Sequence, residues 1–208
     1  MTLKPLSARQ LDALREVSNI GMGHAATALS QLIGETVELH VPCISVAEIV
    51  RIPALLGRAE DLFAGITLQI FGEARGIILL LFPQQSAQQL LIRLLGRPAD
   101  EPICDELSSS TLKEIGNILA SAYLSALGNL LHMSLIPSIP LLAYDMLGAV
   151  ADRVLIELSR EEDLALLVET EFHGRAPTEE VIRGHFLILP DADTLDVIFD
   201  AANVGYEK

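Results

Sequence analysis

Between Ser7 and Leu32, apolar residues return at helical spacing: Leu11, Leu14, Val17, Ile20, Ala25, Ala28, Leu29 and Leu32. That rhythm places them on one face of a long helix. Ser7 is a candidate N-cap and Gly34 a candidate stop. The period then shortens. Residues 36–44 alternate toward a strand, and residues 46–57 suggest a short helix ended before Pro53. Residues 64–71 and 76–82 predict two strands joined by a Gly-Glu-Ala-Arg turn. Pro83 opens a helix running to about Leu95, closed by Gly96. Residues 97–105 carry two prolines and several acids, the composition of a linker.

The same order follows again. Residues 108–131 predict a second long helix and 132–140 a strand. Residues 143–152 suggest a short helix, and 153–159, 163–172 and 184–189 predict strands. Pro190 opens a last helix to about Asn203. The halves align at an offset of 98: Leu14 with Leu112, Ile20 with Ile118, Ala28 with Ala126 and Pro42 with Pro140. Pro83 and Pro190 are 107 apart, a slip of nine residues that a longer connection around residues 173–180 accommodates. This pattern predicts an α+β fold with an internal pseudo-twofold repeat, an antiparallel sheet and two long paired helices. We expect a single domain over residues 1–208, with one repeat half at about 7–96 and the other at about 105–203.

Composition narrows the classes. Half of the 208 residues are apolar and mean hydropathy is +0.42, yet the longest apolar runs are about eight residues. A spanning helix needs roughly 18–20. The N-terminus lacks the apolar stretch of a signal peptide, so a soluble cytoplasmic chain is expected. A net charge of −14 disfavours nucleic acid. The two cysteines, Cys43 and Cys104, read as small reduced hydrophobes, and the five histidines show no metal-ligand spacing.

The repeat carries one polar pattern twice: Asp12, Glu16 and Asn19, then Ser110, Glu114 and Asn117. At about 100° per residue, such a triplet falls within an arc of about 60° on a helix. A lone polar stripe is ordinarily a solvated face. Here Arg15 and Lys113 precede each Glu, off the stripe, and Asn, a mediocre helix former, stands mid-helix twice. A carboxylate can pair with a partner's cation, and an amide can hold a water. There is no nucleophile with a base on the stripe, because Ser110 has no histidine within helical reach. The combination suits water positioning on a labile leaving group.

The segments LREVSNIGMGHAATALSQLIG and STLKEIGNILASAYLSAL, each carrying [D/S]-x-x-x-E-x-x-N, resemble the CheC family of chemotaxis phosphatases, within the CheC/CheX/FliY superfamily. The likeness covers almost the whole chain. It implies hydrolysis of the aspartyl phosphate of a phosphorylated CheY-type response regulator. Asn19 and Asn117 would orient the attacking water, Glu16 and Glu114 would grip the regulator's lysine, and Asp12 and Ser110 would support them. The chain itself would need no cofactor or metal; Mg²⁺ would sit on the regulator. The resemblance also implies the CheD deamidase as a partner, with Asp145 as a candidate contact, although a turn or helix N-cap is the plainer reading of Asp145. No nucleic acid or membrane partner is expected, and the internal pseudo-dimer makes a monomer plausible. Two alternatives stand beside this: a non-catalytic binding module regulating CheD or the flagellar switch, and a structural protein whose stripes are mere surface. Gly21-Met22-Gly23-His24-Ala25-Ala26 loosely matches a dinucleotide loop, but it sits inside a helical pattern, where small residues for close helix packing explain it better.

Overall fold

The computed structural model describes residues 7–34, 38–40, 44–48, 51–96, 103, 105–158, 164–173, 181–190, 194 and 197. Its elements run α1 (Ala8–Ile33), β1 (Glu38–His40), β2 (Ile44–Glu48), α2 (Ile52–Leu56), β3 (Leu62–Gly72), β4 (Gly76–Pro83), α3 (Gln84–Leu95) and α4 (Glu106–Leu131). Then follow β5 (Leu135–Pro137), β6 (Leu141–Met146), α5 (Leu147–Leu158), β7 (Leu164–His173) and β8 (Ile182–Pro190). The predicted linker lies outside the described residues apart from Ile103 and Asp105, and so do both cysteines and the acidic stretch 160–163. Of the predicted final helix only Thr194 and Val197 are described.

Local chemistry sets the helix ends. The Asp105 carboxylate caps α4, accepting from the backbone N–H groups of Leu107 and Ser108 at 3.0 and 3.1 Å. The helix therefore starts at Glu106, two residues before its predicted start. Gly34 and Gly96 take left-handed conformations (φ 75° and 65°), and their N–H groups close the last turns of α1 and α3 on Ser30 and Ile92.

Three sequence-based expectations are corrected. Pro53 does not end a helix; it stands in the first turn of α2, where its missing N–H costs no intrahelical bond. Residues 132–140 do not form a single strand: β5 covers only Leu135–Pro137, and β6 begins at Leu141; of residues 36–44, those described lie in β1 and at the start of β2. Residues 143–146 belong to strand β6, whereas 153–158, predicted as a strand, are the second half of α5. Leu147, Val150 and Val154 are buried at helical spacing, and this apolar face fixes α5 as a helix.

The eight strands form one antiparallel sheet in the order β1-β7-β8-β4-β3-β5, with β2 also paired to β7 and β6 to β3. Exchanging the halves leaves this order unchanged. One cross-strand row locates the axis. Leu142 pairs with Ile66, Ile66 with Leu80, Leu80 with Phe186, Phe186 with Val168 and Val168 with Ile44. The row reads the same from either end, and Leu80 and Phe186 exchange across its centre at an offset of 106. Its ends, Ile44 and Leu142, are offset by 98, the offset of the helical triplets. The intermediate pair, Ile66 and Val168, is offset by 102. The slip between halves thus accrues in two steps of four, not as nine residues in one connection. The first step coincides with α5 being longer than α2, and the second with the connection between β7 and β8. The proline offset of 107 is odd, and an odd shift would carry Leu80 onto the opposite face of the sheet.

Layers follow from the alternation of β3, β4 and β8. Ala64, Ile66, Leu68, Ile78, Leu80, Phe82 and Phe186 face α1, α3 and α4 in the larger core. Phe63, Ile77, Leu79, Leu81, Leu187 and Leu189 face α5 on the other side. Helices α1 and α4 pack against one another over the sheet, so each covers one half of the repeat. Among the described residues, no helix is long and apolar enough to cross a membrane.

Candidate functional site

The burial pattern of α4 aims its polar stripe. Leu112, Ile115, Leu119 and Tyr123 are buried against the sheet and α1, which turns Ser110, Glu114 and Asn117 outward. Gly116 brings the helix close to the sheet beside Asn117: a Cβ there would lie 2.5 Å from Ile66 Cγ2. On α1, Ser18, Met22, Ala25 and Leu29 are buried, and Asp12, Glu16 and Asn19 are exposed. Where α4 has Gly116, α1 has Ser18, whose hydroxyl lies 3.3 Å from the Tyr123 hydroxyl in the helix interface. Burial pushes the Tyr123 phenol above its ordinary pKa, an effect partly opposed by that hydrogen bond.

Both triplets therefore sit where the sequence pattern places them, each on one helix. They form two separate outward-facing sites, not one composite site. Among the described residues, the side chains of Glu16, Asn19, Glu114 and Asn117 have no hydrogen-bond or ion-pair partner, so they are available to a ligand. The surroundings differ between the two. On α1, Arg15 lies 3.6 Å from Asp12, so the first stripe does have a cationic neighbour, contrary to the sequence reading. Ser110 replaces Asp12 on α4, and Lys113 makes no ion pair among the described residues.

Asn117 is half-buried, whereas Asn19 is exposed. Together with Ser110, Lys113 and Glu114, Asn117 lines an open depression whose far wall is Pro137, Ser138, Ile139 and Pro140. That wall escaped the sequence reading, which ran a strand through it. Two prolines around one isoleucine were the available signal, since proline interrupts a strand interior.

The remaining candidates are placed as follows. Asp145 lies exposed in β6 and is neither a turn residue nor a helix cap; its carboxylate accepts from the Met146 N–H at 2.8 Å. The Gly21–Ala26 segment is continuous helix. A Cβ on Gly21 would come within 2.5 Å of Tyr123 Cδ2, whereas one on Gly23 would meet nothing within 4 Å. Close packing therefore explains Gly21 and not Gly23, and no phosphate loop exists here. His24 is exposed. Among the described residues, no group of three or more His, Cys, Asp or Glu side chains is placed to hold a metal ion. The arrangement offers a carboxylate and an amide together on a solvent-facing stripe of each long helix.

Comparison with known proteins agrees with this geometry. Residues 10–46, which include the first triplet, match the model of the CheC-like family. The chain is 35% identical over 199 residues to the protein named CheY-P phosphatase CheC of Bacillus subtilis (strain 168), covering 94% of this chain and 95% of that one. The crystal structure of Thermotoga maritima FliY superposes with a TM-score of 0.79 at 18% identity, covering 96% of this chain and 98% of that one. FliM in the Helicobacter pylori FliM–SpeE complex superposes with a TM-score of 0.70 at 13% identity, covering 96% of this chain and 97% of that one. The last two show a shared fold alone, and the full-length sequence match shows more: the chain belongs to the CheC-like family.

Proposed function

We propose that this chain is a phosphatase for a phosphorylated CheY-type response regulator, and that each half carries one site. The observation that carries the proposal is the pair of solvent-facing Glu–Asn stripes on α1 and α4, whose side chains have no partner among the described residues. It is supported by full-length similarity to a protein named for that activity. In this reading Glu16 or Glu114 pairs with a cation of the docked regulator and fixes its register. Asn19 or Asn117 then enters beside the aspartyl phosphate. The amide carbonyl accepts a hydrogen bond from a water and its NH₂ donates to the phosphoryl group, aligning the water with the acyl P–O bond. The water oxygen bonds to phosphorus as that bond breaks. The regulator's carboxylate leaves with the bonding electrons, and the water proton passes to phosphate or solvent. Asp12 and Ser110 stand one turn before each Glu and support docking.

The divalent cation that neutralises phosphoryl charge belongs to the regulator in this scheme. The chain supplies position, and a positioned amide contributes on the order of 10²-fold in rate by analogy with other catalytic dipoles. Phosphate release from a phosphorylated CheY-type regulator, measured with and without the wild-type chain, tests the reading. Acceleration supports it. Tight binding without acceleration makes the chain a binding module instead, a live alternative because this fold is shared with FliM. We keep Asp145 as a contact for a CheD deamidase on the strength of its exposure at the end of β6. Unchanged CheD binding by Asp145→Lys would remove that assignment.

A further inference from the structure

The β5–β6 connection is built as a rigid shelf beside the α4 site. Pro137 and Pro140 fix their own φ angles at its two ends. Between them Ser138 is clamped to β3: its N–H donates to the Gln69 carbonyl at 2.8 Å, and its Oγ accepts from the Gln69 N–H at 2.9 Å. The same hydroxyl donates to the Ile139 carbonyl at 2.9 Å. The fixed loop holds Ile139 at 82% exposure, on the wall facing Ser110, Lys113, Glu114 and Asn117. A partner docked over that wall would remove the side chain from water, at about 25 cal/mol per Å² of apolar surface covered.

We infer that Ile139 and Lys113 form the recognition surface for the phosphorylated regulator at the α4 site, Ile139 as apolar anchor and Lys113 as the cation that meets the phosphoryl charge. This rests on the phosphatase reading and goes beyond it. Three observations commit the surface to that occupant. It is continuous with Glu114 and Asn117, with which it lines one open depression. Among the described residues Lys113 is the one cation lining it, and it makes no ion pair there, whereas Arg15 on α1 lies 3.6 Å from Asp12. The chain carries a net charge of −14, which opposes the approach of a phosphoryl group at long range, so a local cation has a task.

The test uses the full-length chain in an Asn19→Ala background, so that only the α4 site turns over. Ile139→Ser is expected to raise KM for the phosphorylated regulator roughly fivefold to tenfold with kcat within about twofold, as loss of an apolar anchor does. Lys113→Gln is expected to raise KM and to flatten its dependence on salt. Ile156→Ser, at an equally exposed isoleucine on α5 across the sheet (79%), should change neither. Binding of a beryllofluoride-loaded regulator, which needs no turnover, should weaken in step with KM. An unchanged KM and affinity for Ile139→Ser would overturn the inference while leaving the phosphatase reading intact. No acceleration by the parent chain, with the binding loss still seen, would instead remove the phosphatase reading.

Discussion

Gly116 lies against Ile66 so closely that a Cβ at position 116 would sit 2.5 Å from Ile66 Cγ2. The contact joins α4 to strand β3, one residue before Asn117. Gly116→Ala is therefore expected to destabilise the fold by about 1–3 kcal/mol, as overpacking does, despite the better helix propensity of alanine. Ile66→Ala should relieve part of that clash, so the double variant should be more stable than the two single effects added together. Urea unfolding of the four proteins measures the coupling. Strict additivity would mean that the contact does not position α4.

Gly21 and Gly23 give opposite expectations two residues apart. Tyr123 fills the space over Gly21, so Gly21→Ala should cost about 1–3 kcal/mol. Gly23 is exposed mid-helix with nothing within 4 Å, so Gly23→Ala should stabilise by about 0.5–1 kcal/mol. Thermal unfolding should order the three proteins Gly23→Ala, wild type, Gly21→Ala, from most to least stable. Reversal of that order would contradict the packing assigned to α1 and α4.

His185 carries a pH dependence. Burial lowers its pKa below the ordinary imidazole value near 6.5, and among the described residues its Nδ1 has no hydrogen-bond partner. As pH falls through about 6.5, the unfolded chain binds a proton that the folded chain refuses. His185 thus removes stability on acidification and none above neutrality. The urea midpoint should fall between pH 7.5 and 5.5, and His185→Leu should show a smaller fall. An equal fall in the variant would place the effect elsewhere.

The long helices and both triplets could be read from the sequence because helical periodicity and an offset of 98 are local properties of the chain. The short elements were harder. The boundary expected between residues 152 and 153 falls where α5 is continuous, because four charged residues within 141–158 interrupt its apolar period. The Ile139 shelf was hidden for another reason. It stands beside Asn117 only because β5 and β6 both pair with β3, and nothing local records that pairing. The axis through Leu80 and Phe186 also needed the ladders, since proline spacing alone gave an odd offset.

In the proposed function, two amides align water at two separate sites. Phosphate release from a phosphorylated CheY-type regulator, compared between wild type and the Asn19→Ala/Asn117→Ala double variant, tests it most directly. Loss of one positioned dipole costs on the order of 10²-fold at its own site. Each single variant is expected to keep the turnover of the other site, and the folded double variant to fall by about 10²-fold or more. A double variant that releases phosphate at the wild-type rate would contradict it.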